Sequence, residues 1–178
     1  MAVKRGIKAA KRPRKRKASP PAAMPVEKNG WTLYAHPAFL DQVDRVVAQL
    51  ARNPGAQGGA AKVLTWITRA IFDEIPQDPS RPEYRLGGAL GGVTHWFRDK
   101  YAGRFRLFFR FDSRARIIIY GWVNDERSLR TYGAGSDAYA VFRRRLSDGE
   151  PPDGWKELLA EASAPTAIER LKRSTRTS

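Results

Sequence analysis

The run Ile117-Ile118-Ile119-Tyr120-Gly121-Trp122-Val123 constrains this chain more than any other stretch, because it is apolar on both alternating faces. A strand with water on one side alternates apolar and polar side chains, whereas a strand covered on both sides does not. The run therefore predicts a central strand, about Arg116–Asn124, with a packed layer on each side. Two strand-like runs precede it, about His95–Tyr101 and Phe105–Phe111. Their links, Ala102-Gly103 and Asp112-Ser113-Arg114, are too short to cross a sheet, so the three runs form an antiparallel meander.

The rest of the chain supplies the layers. Trp31–Ala35 is aromatic and β-prone and reads as a first strand. His36-Pro37 opens a helix, with Pro37 at the first helical position, where a missing N–H does no harm. Phe39, Val43, Val47 and Leu50 recur at helical spacing on one face until Asn53-Pro54-Gly55. A second helical stripe, Val63, Leu64, Ile67 and Ile71, runs from about Ala60 to Ile75 and ends at Pro76. The short Gly-rich loop between them implies an antiparallel helical hairpin. Pro76–Thr94 reads as an extended connection. Beyond the meander, Ser136-Asp137 starts a helix with Tyr139, Phe142 and Leu146 on one face. A shorter helix from Asp153 carries Trp155, Leu158, Leu159 and Ala162. The order predicts one α+β domain: a small, mainly antiparallel sheet packed against an N-terminal helical hairpin and C-terminal helices.

Charge is distributed unevenly. The 178 residues carry a formal net charge of +15, of which residues 1–28 hold +9 and residues 163–178 hold +3, leaving +3 for 29–162. The expected organisation is a disordered basic tail at 1–28, a folded domain at 29–162 and a polar basic tail at 163–178. Such a balance points to a polyanionic partner without separating RNA, DNA, ribosome or acidic lipid. The Lys11–Lys17 segment reads equally as a loose phosphate binder or a solvated tail. Any specificity in the folded body must come from where its arginines stand. Cysteine is absent. That excludes disulfides, thiolate ligands and cysteine nucleophiles and suits a reducing cytoplasm. No apolar run is long enough to cross a bilayer, and no secretory pattern opens the chain, so a cytoplasmic protein away from membranes is expected.

Two clusters carry candidate chemistry. Along Arg104–Phe111, period two places Phe105, Leu107, Phe109 and Phe111 on one face and Arg106, Phe108 and Arg110 on the other. The preceding strand adds Trp96, Arg98 and Lys100 with the same alternation. A sheet face with four cations and two aromatic rings suits single-stranded nucleic acid, since cations hold phosphates and rings stack on bases. The alternative is a solvated strand face with ordinary arginines. The second cluster, Asn124, Asp125, Glu126, Arg127, Arg130 and Tyr132, follows the central strand, a common place for a site. Its alternative is a turn shaped by Asn124-Asp125, with Arg127 or Arg130 paired to Asp125 or Glu126. Other chemistries find little support. Two histidines, His36 and His95, leave little for a zinc site, and His36 fits a helix start better than a ligand position. Gly87–Gly92 lacks the Lys-Ser/Thr of a P-loop. No metal site and no cofactor are expected.

Asn29–Pro37, Arg104–Phe111 (RFRLFFRF), Gly121–Glu126 (GWVNDE), Leu129–Gly133 (LRTYG) and Asp137–Phe142 (DAYAVF) together resemble the YhaV toxin family over about Asn29 to Ala162. The resemblance implies a RelE-like ribonuclease fold and a metal-independent endoribonuclease that cleaves mRNA, as many such toxins do on translating ribosomes. It also implies a PrlF-type antitoxin as partner, and operator DNA bound by the toxin–antitoxin complex. The implied reaction is attack by the RNA 2′-hydroxyl on the adjacent phosphate. By the same resemblance, Arg106 stabilises the phosphate, Arg98 and Lys100 are basic site residues of the preceding strand, and Tyr132 stacks on or orients the substrate. Arg127 and Arg130 compete for a second arginine. Arg104, Arg110, Trp96, Phe108 and Asn124 complete the expected RNA-binding set. A protein of another class fits the same basic face: a non-catalytic nucleic-acid- or ribosome-binding regulator.

Overall fold

The computed structural model describes residues 23–52, 59–129 and 133–174. One five-stranded sheet runs in the order β1-β2-β5-β4-β3. Its strands are β1 Val26–Lys28, β2 Trp31–Ala35, β3 Phe97–Tyr101, β4 Phe105–Asp112 and β5 Ile117–Val123. β5 takes the middle, as its two apolar faces require, with β2 parallel on one side and β4 antiparallel on the other. β3 to β5 form the expected meander, turning through left-handed backbone at Ala102 and Gly103 and again at Arg116. The helices are α1 Pro37–Arg52, α2 Gly59–Arg69, α3 Ala138–Ser147, α4 Trp155–Ala162 and α5 Pro165–Ser174. The α+β expectation holds.

The sheet carries a core on each face. On the hairpin side, Leu33, Leu107, Phe109, Ile118 and Tyr120 meet Phe39 of α1 and Trp66 of α2. On the other side, Trp96, Phe108, Ile119 and Trp122 meet Phe142 of α3 and Leu158 of α4. Phe108 and Phe142 stack with centroids 4.0 Å apart. Fully burying one such ring contributes roughly 1.5–3 kcal/mol, so neither layer is optional.

A bulge joins the two cores. The β4–β5 register steps from Phe108↔Trp122 to Phe109↔Tyr120, leaving Gly121 as the extra residue. Tyr120 and Val123 therefore serve the first core, while Trp122 serves the second. A Cβ on Gly121 would stand 2.5 Å from Cζ3 of Trp96. Only glycine lets that indole lie against the strand.

His36 closes β2. Its Nδ1 accepts the Ala38 N–H at 3.1 Å, capping α1, and its Nε2 lies 2.8 Å from the Glu161 carboxylate of α4. With Nδ1 accepting, the neutral ring carries its proton on Nε2 and donates it to Glu161. Burial lowers the His36 pKa below 6.5, although Glu161 pulls the other way.

Three expectations need correction. Val26–Lys28 lies inside the stretch assigned to the N-terminal tail, yet it pairs with β2 as an edge strand. It contributes backbone hydrogen bonds, which composition does not reveal. Residues 165–174, assigned to the C-terminal tail, form α5 and bury Ala167, Ile168 and Leu171. Arg170 of α5 donates to Asp41 at 2.7 Å and Asp44 at 2.6 Å on α1. Val47, placed on the apolar stripe of α1, is 42% exposed and lines an open groove with Leu64 of α2 and Pro165 of α5.

Candidate functional site

Strand alternation brings the expected cations of β3 and β4 together. In the antiparallel pair Lys100 stands opposite Arg106, and Arg98 stands opposite Phe108, one position along the same face. Asp99 lies between the two cations of β3, but the pleat turns it to the hairpin side, where it accepts the Trp66 Nε1–H at 2.8 Å. The acid nearest in sequence is thereby kept off the arginine face.

That face is not open. α3 and α4 lie across it, and their apolar stripes bury Trp96 and Phe108 completely. The expected roles of these two residues as base-stacking platforms are corrected: both rings are spent on the second core. Arg110 is corrected as well. Its guanidinium carbon sits 5.7 Å from the Trp96 ring and 5.3 Å from the Trp155 ring, and its Nη1 donates to the Asp153 carbonyl at 2.5 Å. This is a cation–π sandwich that joins β4 to α4. Asn124 is buried; its Oδ1 accepts the Arg106 N–H at 2.5 Å, and its Nδ2 donates to the carbonyls of Arg104 at 3.1 Å and Ser128 at 2.7 Å. It ties the end of β5 to the start of β4 and offers nothing outward. Asp125 shapes the next turn, accepting from the Arg127 N–H and the Ser128 hydroxyl. Shaping the turn is therefore what Asn124 and Asp125 do. Arg104 and Arg127 are exposed beside it, and Arg130 and Tyr132 lie outside the described residues.

What remains is a compact cation site. Arg106 is only 7% exposed. Its Nε donates to the Tyr139 hydroxyl at 3.1 Å and its Nη1 to the Phe105 carbonyl at 2.7 Å. Arg98 donates from Nε to the same Tyr139 hydroxyl at 2.8 Å and from Nη1 to the Glu83 carbonyl at 2.6 Å. Among the described residues, no ion pair involves Arg98, Lys100 or Arg106. A buried guanidinium without a carboxylate runs against the usual pairing of buried charge. The arrangement keeps three positive charges available to an anion, close to Tyr139.

A cavity of about 360 Å³ opens beside Tyr139, lined among others by Ala89, Gly133, Asp137 and Arg143. A larger groove, about 990 Å³, lies on the hairpin side between α1, α2 and α5. Its lining is mostly apolar, with Arg170 already paired to Asp41 and Asp44. The smaller opening shares Tyr139 with the cation cluster, whereas the larger groove includes none of its residues. The histidines stand elsewhere: His36 is held by Glu161, and His95 is held by Asp153 at 2.7 Å. Among the described residues, no group of three or more His, Asp or Glu side chains is placed to hold a metal ion. No helix among them is long and apolar enough to cross a membrane.

Tyr139 is the residue that sequence reasoning missed, because helical spacing assigned it to the apolar stripe of α3. The available signal was the residue type, since a buried tyrosine needs a partner for its hydroxyl where phenylalanine would not.

The geometry can be set beside known proteins. Residues 33–163 match the model of a YhaV family described as a toxin with endonuclease activity, of toxin-antitoxin system. The chain is 42% identical over 146 residues to the Toxin YhaV of Escherichia coli O6:H1, covering 77% of this chain and 95% of that protein. It is equally similar, 42% over 146 residues with the same coverage, to the Ribonuclease toxin YhaV of Escherichia coli K12. No solved structure matches.

Proposed function

We propose, for a chain that belongs to the YhaV family of toxins with endonuclease activity in toxin–antitoxin systems, that the Arg98–Lys100–Arg106 cluster is the centre at which it cleaves RNA. The observation that carries this reading is the buried Arg106 guanidinium, which has no acidic partner among the described residues. Burying an uncompensated charge is unfavourable, and a phosphate bound there relieves the cost while making charge-assisted hydrogen bonds.

The reaction fits what such a cluster does. The 2′-hydroxyl oxygen attacks the adjacent phosphorus, and the P–O5′ bond breaks. The products are a 2′,3′-cyclic phosphate and a 5′-hydroxyl. Negative charge grows on the non-bridging oxygens, and fixed cations stabilise the transition state more than the ground state. Arg106 and Arg98 supply that field, and Lys100 adds a third charge across the strand pair. The attacking hydroxyl must lose a proton and the leaving oxygen must gain one. No histidine of the described residues stands in the cluster to do either, so positioning carries much of the rate. Arg104 and Arg127, both exposed, extend the basic surface along the RNA, and the family resemblance adds Arg130 as a competing second arginine and Tyr132 as the residue that stacks on or orients the substrate. The substrate is mRNA engaged in translation, the reaction needs no metal, and the setting is the cytoplasm. A PrlF-type antitoxin neutralises the toxin, and the two together repress their own operon.

The test is to add purified protein to a translating extract and map the 5′ ends of the message. New ends carrying 5′-hydroxyls, formed in the presence of a metal chelator that does not itself stop the extract and lost with Arg106→Ala, support the reading. Message that stays intact with folded wild-type protein overturns it in favour of non-catalytic binding.

A further inference from the structure

Arg98 and Arg106 present a physical problem. They are diagonal neighbours on adjacent strands, their like charges repel, and among the described residues neither forms an ion pair with a carboxylate. Long arginine side chains under such repulsion splay apart unless something holds them. The Tyr139 hydroxyl accepts from both Nε atoms, at 2.8 Å from Arg98 and 3.1 Å from Arg106. Peptide carbonyls of Glu83 and Phe105 take the Nη1 atoms. Each guanidinium is thus fixed at two nitrogens, and Nη2 of each has no acceptor among the described residues.

The bridging group is itself well placed. Asp137 caps α3 by accepting the Tyr139 N–H at 3.0 Å, which sets the residue at the start of the helix. The ring packs edge-on against Phe108 at 5.7 Å, the Arg106 guanidinium carbon lies 5.8 Å from its centre, and the residue is 7% exposed. The bridge is also neutral. An Asp or Glu in its place would order the two arginines equally well but cancel one of their charges. A phenol orders them and leaves both charges for the phosphate.

We infer that Tyr139 is a positioning residue for RNA cleavage: its hydroxyl ties Arg98 and Arg106 into one fork aimed at a single phosphate. The inference rests on the assignment of this face to cleavage. Ground-state binding depends mostly on charge, which Tyr139→Phe leaves intact, whereas stabilisation of the transition state depends on alignment.

The experiment uses the full chain and an RNA substrate, with a matching RNA carrying 2′-deoxy at the scissile position for binding. Tyr139→Phe is expected to slow single-turnover cleavage about tenfold or more while leaving affinity for the uncleavable RNA close to wild type. Combined with Arg98→Ala or Arg106→Ala, it is expected to add little, because the fork is already broken. Side-chain Nε–H resonances of both arginines, protected in the wild type, are expected to broaden in Tyr139→Phe. That readout is independent of activity, and it also reports whether the variant folds. Cleavage at the wild-type rate by Tyr139→Phe, an effect that multiplies undiminished with both alanine variants, or unchanged Nε–H protection would each overturn the inference. If Arg98→Ala and Arg106→Ala both cut RNA normally, the site assignment itself falls, and the positioning role falls with it.

Discussion

The two faces of β4 come from one eight-residue strand and meet different fates. Phe105, Leu107, Phe109 and Phe111 pack into the hairpin-side core without interruption. On the opposite face, Phe108 stands between Arg106 and Arg110, and α3 and α4 still cover it. Both faces are buried, but only the second buries charge. Its two arginines are then handled in opposite ways. Arg110 is held by two indole rings and the Asp153 carbonyl, with the Asp153 charge nearby, which makes it an adhesive between β4 and α4. Arg106, four residues earlier, is oriented by a phenol and a carbonyl and keeps its charge uncompensated. A cation beneath a helix is therefore not by itself a sign of function; what its neighbours do to its charge decides.

The comparison breaks most visibly at the arginines. Arg106→Ala should lower RNA cleavage by roughly 10²–10³-fold, the usual loss when one donor to a developing oxyanion is removed. Arg110→Ala should leave cleavage within an order of magnitude and instead weaken the fold by about 1–2 kcal/mol, read by urea titration, as its two indole contacts are lost. Equal losses of activity would erase the distinction between the two arginines. At the seam between the faces, Gly121→Ala drives a methyl into Trp96. It should destabilise the chain by about 1–3 kcal/mol, with Trp96→Phe in the same chain recovering part of that loss.

Smaller effects sharpen the picture. Burial holds the folded-state pKa of His36 below 6.5. The unfolded chain therefore takes up the proton first, and stability present above that value declines as the pH falls below it. Denaturation midpoints measured from about pH 7.5 to about pH 5.5 should fall, and His36→Asn should flatten part of that slope. A slope that persists unchanged would remove His36 as its source. Smallest of all, Arg170→Ala breaks the α5–α1 ion pairs on the hairpin side. These are solvent-screened, so the expected cost is about 0.2–1 kcal/mol.

Much of this fold was legible. The two-sided apolarity of β5, the short links of the meander and most of the stripes of α1 to α4 follow from periodicity; the helix expected over about Ala60–Ile75 is α-helical only to Arg69 and continues as a π-helical turn over Ala70–Glu74. The cation cluster was legible too, since alternation alone puts Arg98, Lys100 and Arg106 on one face. The cover over that face was harder to see. Arg-Phe-Arg reads as a solvated face until Phe142 and Leu158 are asked what they bury against, and Phe108 and Trp96 are then the answer. β1 escaped notice because an edge strand needs only its backbone. In α5, Ile168 and Leu171 are diluted by charged neighbours. Tyr139 escaped because hydropathy counts its ring and not its hydroxyl.

Equilibrium unfolding of Arg106→Met, measured beside wild type and paired with a cleavage assay, tests the central claim most directly. Methionine fills much the same volume without charge. If Arg106 is a buried cation kept for the substrate at the expense of the fold, the variant unfolds at the same or a higher urea concentration and no longer cleaves RNA. A variant that is clearly less stable yet still cleaves would contradict the account, because Arg106 would then serve the fold and not the reaction.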